Sequence, residues 1–322
     1  MEKIIGREAE FGKLTDYMES GKSEFIALYG RRHHIRTQGE YVFGNITSPD
    51  YDGRTVWIKE ISDRIHEYHQ IIMKELFIHQ IKRIYNKALD ALQTRRSADG
   101  AQYIWRRRNS STLVIVFSSM GEQRYNYKKS LKKCPYDQLF IADCWARNVS
   151  YYWYESKSDH PERYTQALIN NIIERGGYTS LITLGSSKGG TAAIYYGLKY
   201  NAVQIFAGAC QYYVGEYLSH YQYKQWPEQW HAVVGGEPIQ EWIDILDQKL
   251  PSMIEAHRRC KTRLFLVYST EEHTYQEHVK PLIKKLNECG IRHDDQVEKY
   301  PQHSMIGPYF RTVINKELIM GD

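Results

Sequence analysis

Residues 179–200 read TSLITLGSSKGGTAAIYYGLKY: a β-branched apolar run enters Gly185-Ser186-Ser187-Lys188-Gly189 and leaves as a helix-like run. Gly-x-Ser-x-Gly at a strand-to-helix turn suits one chemical task, the presentation of a serine hydroxyl as nucleophile. So tight a turn strains the serine backbone and lifts its hydroxyl above the sheet. The flanking positions are glycine because a Cβ there would meet neighbouring backbone. Ser187 is therefore the candidate nucleophile, whereas Ser186 has no such enforced geometry. A hydroxyl attacks only when a base takes its proton, and the base needs a carboxylate to orient it. Both occur further along the chain. The run RLFLVY (263–268) is followed by Ser269-Thr270-Glu271-Glu272-His273, and a weaker strand-like run is followed by PQHSMIG, which carries His303. Serine, acid and histidine in that order predict a relay Ser187–His303–Glu272, with Glu271 as the alternative acid. His273 and His278 lie on the acid side and are read as surface residues.

Acyl transfer through such a serine also needs two donors for the oxyanion. The N–H of Lys188, directly after the nucleophile, is one. The other is expected from the loop FSSMGEQRYNY after the run at 112–118, by the backbone of Ser119 and Met120. The Lys188 side chain is expected either to meet an anionic substrate or to extend to solvent.

These residues need a scaffold that brings distant loops together. From about residue 101 the sequence alternates short apolar strands (112–118, 138–143, 179–184, 202–208, 263–268, and a weaker one at 295–299) with helical patterns at 162–175, 188–200, 238–258 and 274–288. That rhythm predicts a mostly parallel sheet with helices on both faces. Ligands of such sheets bind at the carboxyl ends of the strands, where every candidate residue lies. The expected class is α/β, with the α/β-hydrolase order of catalytic elements, over residues 101–322.

Residues 1–100 are expected to form a small α+β appendage. A short amphipathic helix and the strand EFIALYG open it and resemble the start of the prokaryotic AAA-type ATPases. The Walker A loop would follow, but Gly30-Arg31-Arg32-His33-His34-Ile35-Arg36-Thr37 lacks its second glycine and its lysine. A P-loop wraps phosphate with those groups, so no nucleotide cofactor is expected. A hairpin at 40–60 and a long helical pattern at 61–92 complete the segment. His66 and His69 stand three apart on that pattern without a third ligand, and no metal is expected.

Composition narrows the function classes. Of 322 residues, 42% are hydrophobic and 25% charged, which suits a folded globular chain. The net charge of +5 is mild and the basic clusters Arg31-Arg32 and Arg106-Arg107-Arg108 are short, which argues against a nucleic-acid partner. No run approaches the ~18 apolar residues of a membrane span, and the charged start MEKIIGREAEFGKL has no secretory apolar core. Five scattered cysteines without a CxxC pair suit a reducing cytoplasm. The 27 tyrosines fit either a carbohydrate-facing cleft or ordinary core packing.

The stretch LGSSKGGTAAIYYGLKYNAVQIFAGACQYYVGEYL, within residues 104–322, resembles a branch of α/β-hydrolase-like bacterial proteins that includes the XcbB/CpsF-type capsular polysaccharide biosynthesis proteins. Related hydrolase-like components occur in accessory Sec systems that export glycosylated adhesins. The resemblance implies Ser187 as nucleophile, His303 as base and Glu272 as acid. It also implies a small-molecule or glycan-linked acyl substrate, with esterase or O-acyltransferase activity. Partners in polysaccharide biosynthesis or secretion follow from it, as does the alternative of a non-catalytic component of such a machine.

Overall fold

The computed structural model describes residues 25–28, 33–37, 40–44, 81, 84–121 and 125–320. Met1–Ala88 and Leu89–Asp322 form two compact units. In the first, β1 (Phe25–Leu28), β2 (His33–Thr37) and β3 (Glu40–Gly44) make an antiparallel sheet in the order β1-β2-β3. The backbone that would supply most of a Walker A loop is thus strand β2. The expected opening helix, the rest of the 40–60 hairpin, and His66 and His69 lie outside the described residues.

The second unit is built on eight strands: β4 (Arg95–Arg96), β5 (Gln102–Arg106), β6 (Thr112–Phe117), β7 (Asp137–Ile141), β8 (Ser180–Ser186), β9 (Gln204–Gly208), β10 (Arg263–Ser269) and β11 (His293–Glu298). Their order is β11-β10-β9-β8-β6-β7-β5-β4. The six from β6 to β11 are parallel, and β5 and β4 continue the sheet antiparallel. The central strands carry continuous apolar runs because both faces are covered. Leu113, Val114, Ile115 and Phe117 of β6 are fully buried, their odd and even positions facing different cores. Each such side chain contributes about 1.5–3 kcal/mol on leaving water.

The larger core packs under α1 (His160–Gly176), α2 (Lys188–Lys199), α4 (Gln240–Ala256) and α5 (Lys280–Glu288), with α3 (Pro227–Val234) at its margin. The smaller core packs under α6 (Ile306–Val313). The α1 helix starts with Pro161 in its first turn and stops at Gly177, whose φ of 63° is left-handed. Tyr151, Tyr152, Tyr196 and Tyr300 are at most 1% exposed, so part of the tyrosine excess is core packing.

Two strands depart from expectation. The segment TRRSADGAQ, read as a connector, makes the edge strand β4, and QYIWR makes β5, which lies antiparallel along β7. β4 is two exposed arginines and β5 ends on the half-buried Arg106, which masks the β pattern. Pro227–Val234 and the helical turns from Val214 to Gln222 were likewise not anticipated. They fill part of the excursion between β9 and β10.

Candidate active site

Ser187 sits between β8 and α2 with φ 53° and ψ −130°, a conformation that L residues adopt only under constraint. The constraint is visible. Its N–H donates to the Gly208 carbonyl at 2.7 Å, and its own carbonyl accepts from Gly190 N–H (2.8 Å) and Thr191 N–H (3.1 Å). The glycines of the motif are needed for space. A Cβ on Gly185 would stand 2.1 Å from the Gly189 carbonyl oxygen, and one on Gly189 would stand 2.5 Å from the Phe117 carbonyl oxygen at the end of β6.

The relay residues come together from three strand ends. Ser187 Oγ lies 2.8 Å from His303 Nε2, and His303 Nδ1 is hydrogen-bonded to Glu272 Oε1. With Nδ1–H donated to the carboxylate, Nε2 is left to accept the serine proton. Glu272 is 4% exposed and also accepts from Thr274 Oγ at 2.5 Å. Burial opposes its charge, but the bonds from His303 and Thr274 outweigh it and hold the carboxyl below its usual range. Glu271, the alternative acid, is exposed, and its recorded contact is a backbone N–H donated to Ser269 Oγ. Ser269 ties the acid and histidine loops together: its hydroxyl donates to the Tyr300 carbonyl (2.7 Å) and accepts the Tyr300 N–H (3.0 Å).

Ser186 is engaged elsewhere, accepting from the Tyr127 hydroxyl at 2.5 Å. Burial, partly offset by that bond, pushes the Tyr127 phenol up to about 12. Of the two flanking histidines, His273 is exposed, its ring centroid 6.2 Å from that of His303 and stacked on Tyr221 at 4.3 Å. His278 is not a surface residue. It is 1% exposed, packs edge-on against Tyr217, and accepts the Tyr213 N–H at Nδ1. The excursion after β9 buries it, which its own neighbourhood in sequence gives no sign of.

For the oxyanion donors, the N–H groups of Lys188 and Met120 have no acceptor among the described residues. The Ser119 N–H is committed to Asn126 Oδ1 at 2.9 Å, so it is not free for an oxyanion. The Lys188 side chain neither reaches solvent nor waits for an anionic ligand. It is fully buried beneath the elbow, with Nζ 2.7 Å from Asp143 Oδ2. The loop after β7 supplies that carboxylate, a contact between residues 45 apart that no local pattern marks.

Gln211 was not anticipated either. It is fully buried at the end of the loop after β9, and its Nε2 donates to Ser187 Oγ at 3.3 Å. Tyr151 Oη donates to its Oε1, and Thr191 bonds its backbone. Its place beyond the carboxyl end of the strand beside the elbow was the available signal. No cluster of three or more His, Cys, Asp or Glu able to hold a metal occurs among the described residues, and no helix among them is long and apolar enough to cross a membrane.

No protein-family model matches the chain, and no curated protein matches its sequence. Solved structures do resemble it. The capsule O-acetyltransferase of Neisseria meningitidis serogroup A, a variant solved in complex with CoA, aligns over 69% of this chain and 93% of its own, with TM-score 0.56 and 20% identity. A glycosylation-associated protein complex of Streptococcus agalactiae aligns over 71% and 47%, with TM-score 0.58 and 15% identity. A fluorophosphonate-binding serine hydrolase of Staphylococcus aureus, solved with substrate bound, aligns over 70% and 96%, with TM-score 0.53 and 10% identity. The chain has the α/β-hydrolase fold. At these identities the likeness concerns the fold, and the side chains at the strand ends carry the argument for chemistry.

Proposed function

We propose that the chain is a serine-dependent acyl-ester hydrolase or O-acyltransferase. The observation that carries this is the continuous hydrogen-bonded line from Glu272 through His303 to Ser187 Oγ, on a serine held in strained backbone. Ser187 Oγ attacks the acyl carbon while its proton passes to His303 Nε2. The carbonyl oxygen becomes an oxyanion that the N–H groups of Lys188 and Met120 receive. On collapse, His303 returns the proton to the departing alcohol or thiol, leaving an acyl-serine. Water or a sugar hydroxyl then gives its proton to His303 and attacks, and Ser187 Oγ leaves with that proton.

We further propose that the acyl group is carried to or from a carbohydrate in surface-polysaccharide metabolism, in the cytoplasm. The sequence resemblance to XcbB/CpsF-type proteins supports this, and so does the likeness in fold to a capsule O-acetyltransferase. A second reading, a fold-only component of a glycosylation or secretion assembly, is favoured by the likeness to the Streptococcus agalactiae complex.

One experiment separates them. A fluorophosphonate probe should label the folded wild-type chain at Ser187, and neither Ser187→Ala nor His303→Ala should be labelled at a comparable rate. Both variants should lose turnover of a short-chain acyl ester by about 10³-fold or more. A folded wild type that stays unlabelled beside a reactive control hydrolase sinks the enzyme reading and leaves the second.

A further inference from the structure

Beneath the candidate nucleophile lies an ion pair that the relay does not use. Lys188 Nζ and Asp143 Oδ2 are 2.7 Å apart with both side chains at 0% exposure. Removing two charges from water is unfavourable unless geometry and further hydrogen bonds compensate, and apolar residues of similar volume often hold a fold as well or better. Here the compensation is thorough. Asp143 Oδ1 accepts from Ser150 Oγ at 2.6 Å and from the Trp145 N–H at 3.4 Å, while the Lys188 ammonium lies 5.0 Å over the Tyr152 ring.

The position of the pair is more telling than its chemistry. Lys188 opens α2, and its backbone N–H is the donor next to Ser187. Asp143, through its own N–H, bonds Ser118 Oγ at 3.1 Å. Ser118 begins the turn that carries the Met120 N–H, and its N–H donates to the Tyr152 hydroxyl, which donates in turn to the Ile141 carbonyl at the end of β7. One residue therefore fastens the elbow by its side chain and the neighbouring β6 loop by its backbone.

We propose that the Lys188–Asp143 pair is a positioning device for the oxyanion pocket, setting the Lys188 and Met120 N–H groups relative to each other and to Ser187. Neither side chain touches substrate; both act through the backbone donors. The proposal rests on the acyl-transfer reading of Ser187 and adds to it the residues that shape the pocket. Such a device affects the tetrahedral species more than the bound ester.

The test is the double variant K188M/D143N in the full chain, which removes both charges together and so avoids stranding either one. It should melt cooperatively and bind a short-chain acyl ester with KM within about twofold of wild type. Its kcat should fall about 30-fold or more, counted per folded site from the cooperative melt, and the affinity of a simple boronic acid, which forms a tetrahedral adduct on the serine, should fall by a similar factor. Should that variant not fold, Ser118→Ala leaves both charges in place and cuts the tie to the β6 loop. It should lower kcat and boronate affinity together, by severalfold, with KM unchanged. Wild-type kcat and boronate affinity in whichever variant folds would overturn the proposal, leaving the pair as packing only. A wild-type chain unreactive towards fluorophosphonate would instead remove the reading beneath it, so the two failures are distinct.

Discussion

At the scale of single residues, two adjacent glutamates make the sharpest contrast. Glu272 is buried against His303 and Thr274, while Glu271 faces solvent one residue earlier. Glu272→Gln keeps the shape but removes the charge that orients His303 and stabilises its protonated form. It should lower kcat by about 10³- to 10⁴-fold, and Glu271→Gln should leave kcat within about twofold, both read as ester turnover. Equal losses, or a loss confined to Glu271→Gln, would exclude Glu272 as the acid. That Ser187, Glu272 and His303 meet was legible in sequence because each follows a strand in a fixed order, an apolar one for Ser187 and Glu272 and a weaker, polar one for His303. The buried pairing of the Lys188 side chain with Asp143, and the place of Gln211, were not. A lysine after a nucleophile looks the same in sequence whether it faces solvent or a buried carboxylate, and Asp143 reads as the end of an ordinary strand. Burial of that kind is decided by chain 45 residues away.

At the scale of elements, the elbow is defined by close backbone approach. Gly189 lies where α2 crosses the end of β6, and a methyl there would press on the carbonyl oxygens of Phe117 and Ser118, at 2.5 and 3.0 Å. Gly189→Ala should therefore lower Tm, by an amount corresponding to about 1–3 kcal/mol, and depress ester turnover as α2 shifts from the sheet. Gly307, in the first turn of α6, has no atom within 4 Å of a built Cβ. Gly307→Ala should leave Tm unchanged or raise it, by up to about 1 kcal/mol of helix preference. Thermal melts of the two variants side by side check both, and a neutral Gly189→Ala would mean the elbow tolerates a looser crossing. The strands that build this frame were read within a few residues of their positions because buried parallel strands are continuous apolar runs. Strands β4 and β5 were missed for the complementary reason. They are short, antiparallel and arginine-bearing, and only the pairing of β5 with β7 and of β4 with β5 makes them strands.

At the scale of the whole unit, the excursion between β9 and β10 leaves a mark on its pH response. It buries His278 against Tyr217 and the Tyr213 N–H, with His273, His303 and Glu272 as the charged groups that act on it. Burial, reinforced by the neighbouring histidines, pushes His278 down to about 4. An unfolded chain would bind a proton there near pH 6.5, so between pH 6.5 and 4 the unfolded state takes up a proton that the folded state refuses. That stability is present above pH 6.5 and is lost as pH falls, by at most about 3 kcal/mol over the window. Asp247 on α4 has the opposite sign. Burial raises it to about 6, so below that pH the folded chain holds a proton the unfolded chain releases, which offsets part of the loss. Wild-type Tm should therefore decline between pH 7.5 and 5.5, most steeply from about pH 6.5 to 6. His278→Leu removes the acceptor of the Tyr213 N–H, but it also abolishes the titration, so its Tm should change with pH by roughly 3–5 °C less over the same range. Parallel Tm curves for wild type and variant would show that His278 is not the group responsible. A shallower variant curve would place the histidine that the 209–262 excursion buries among the determinants of acid stability, distinct from the exposed His273 five residues before it.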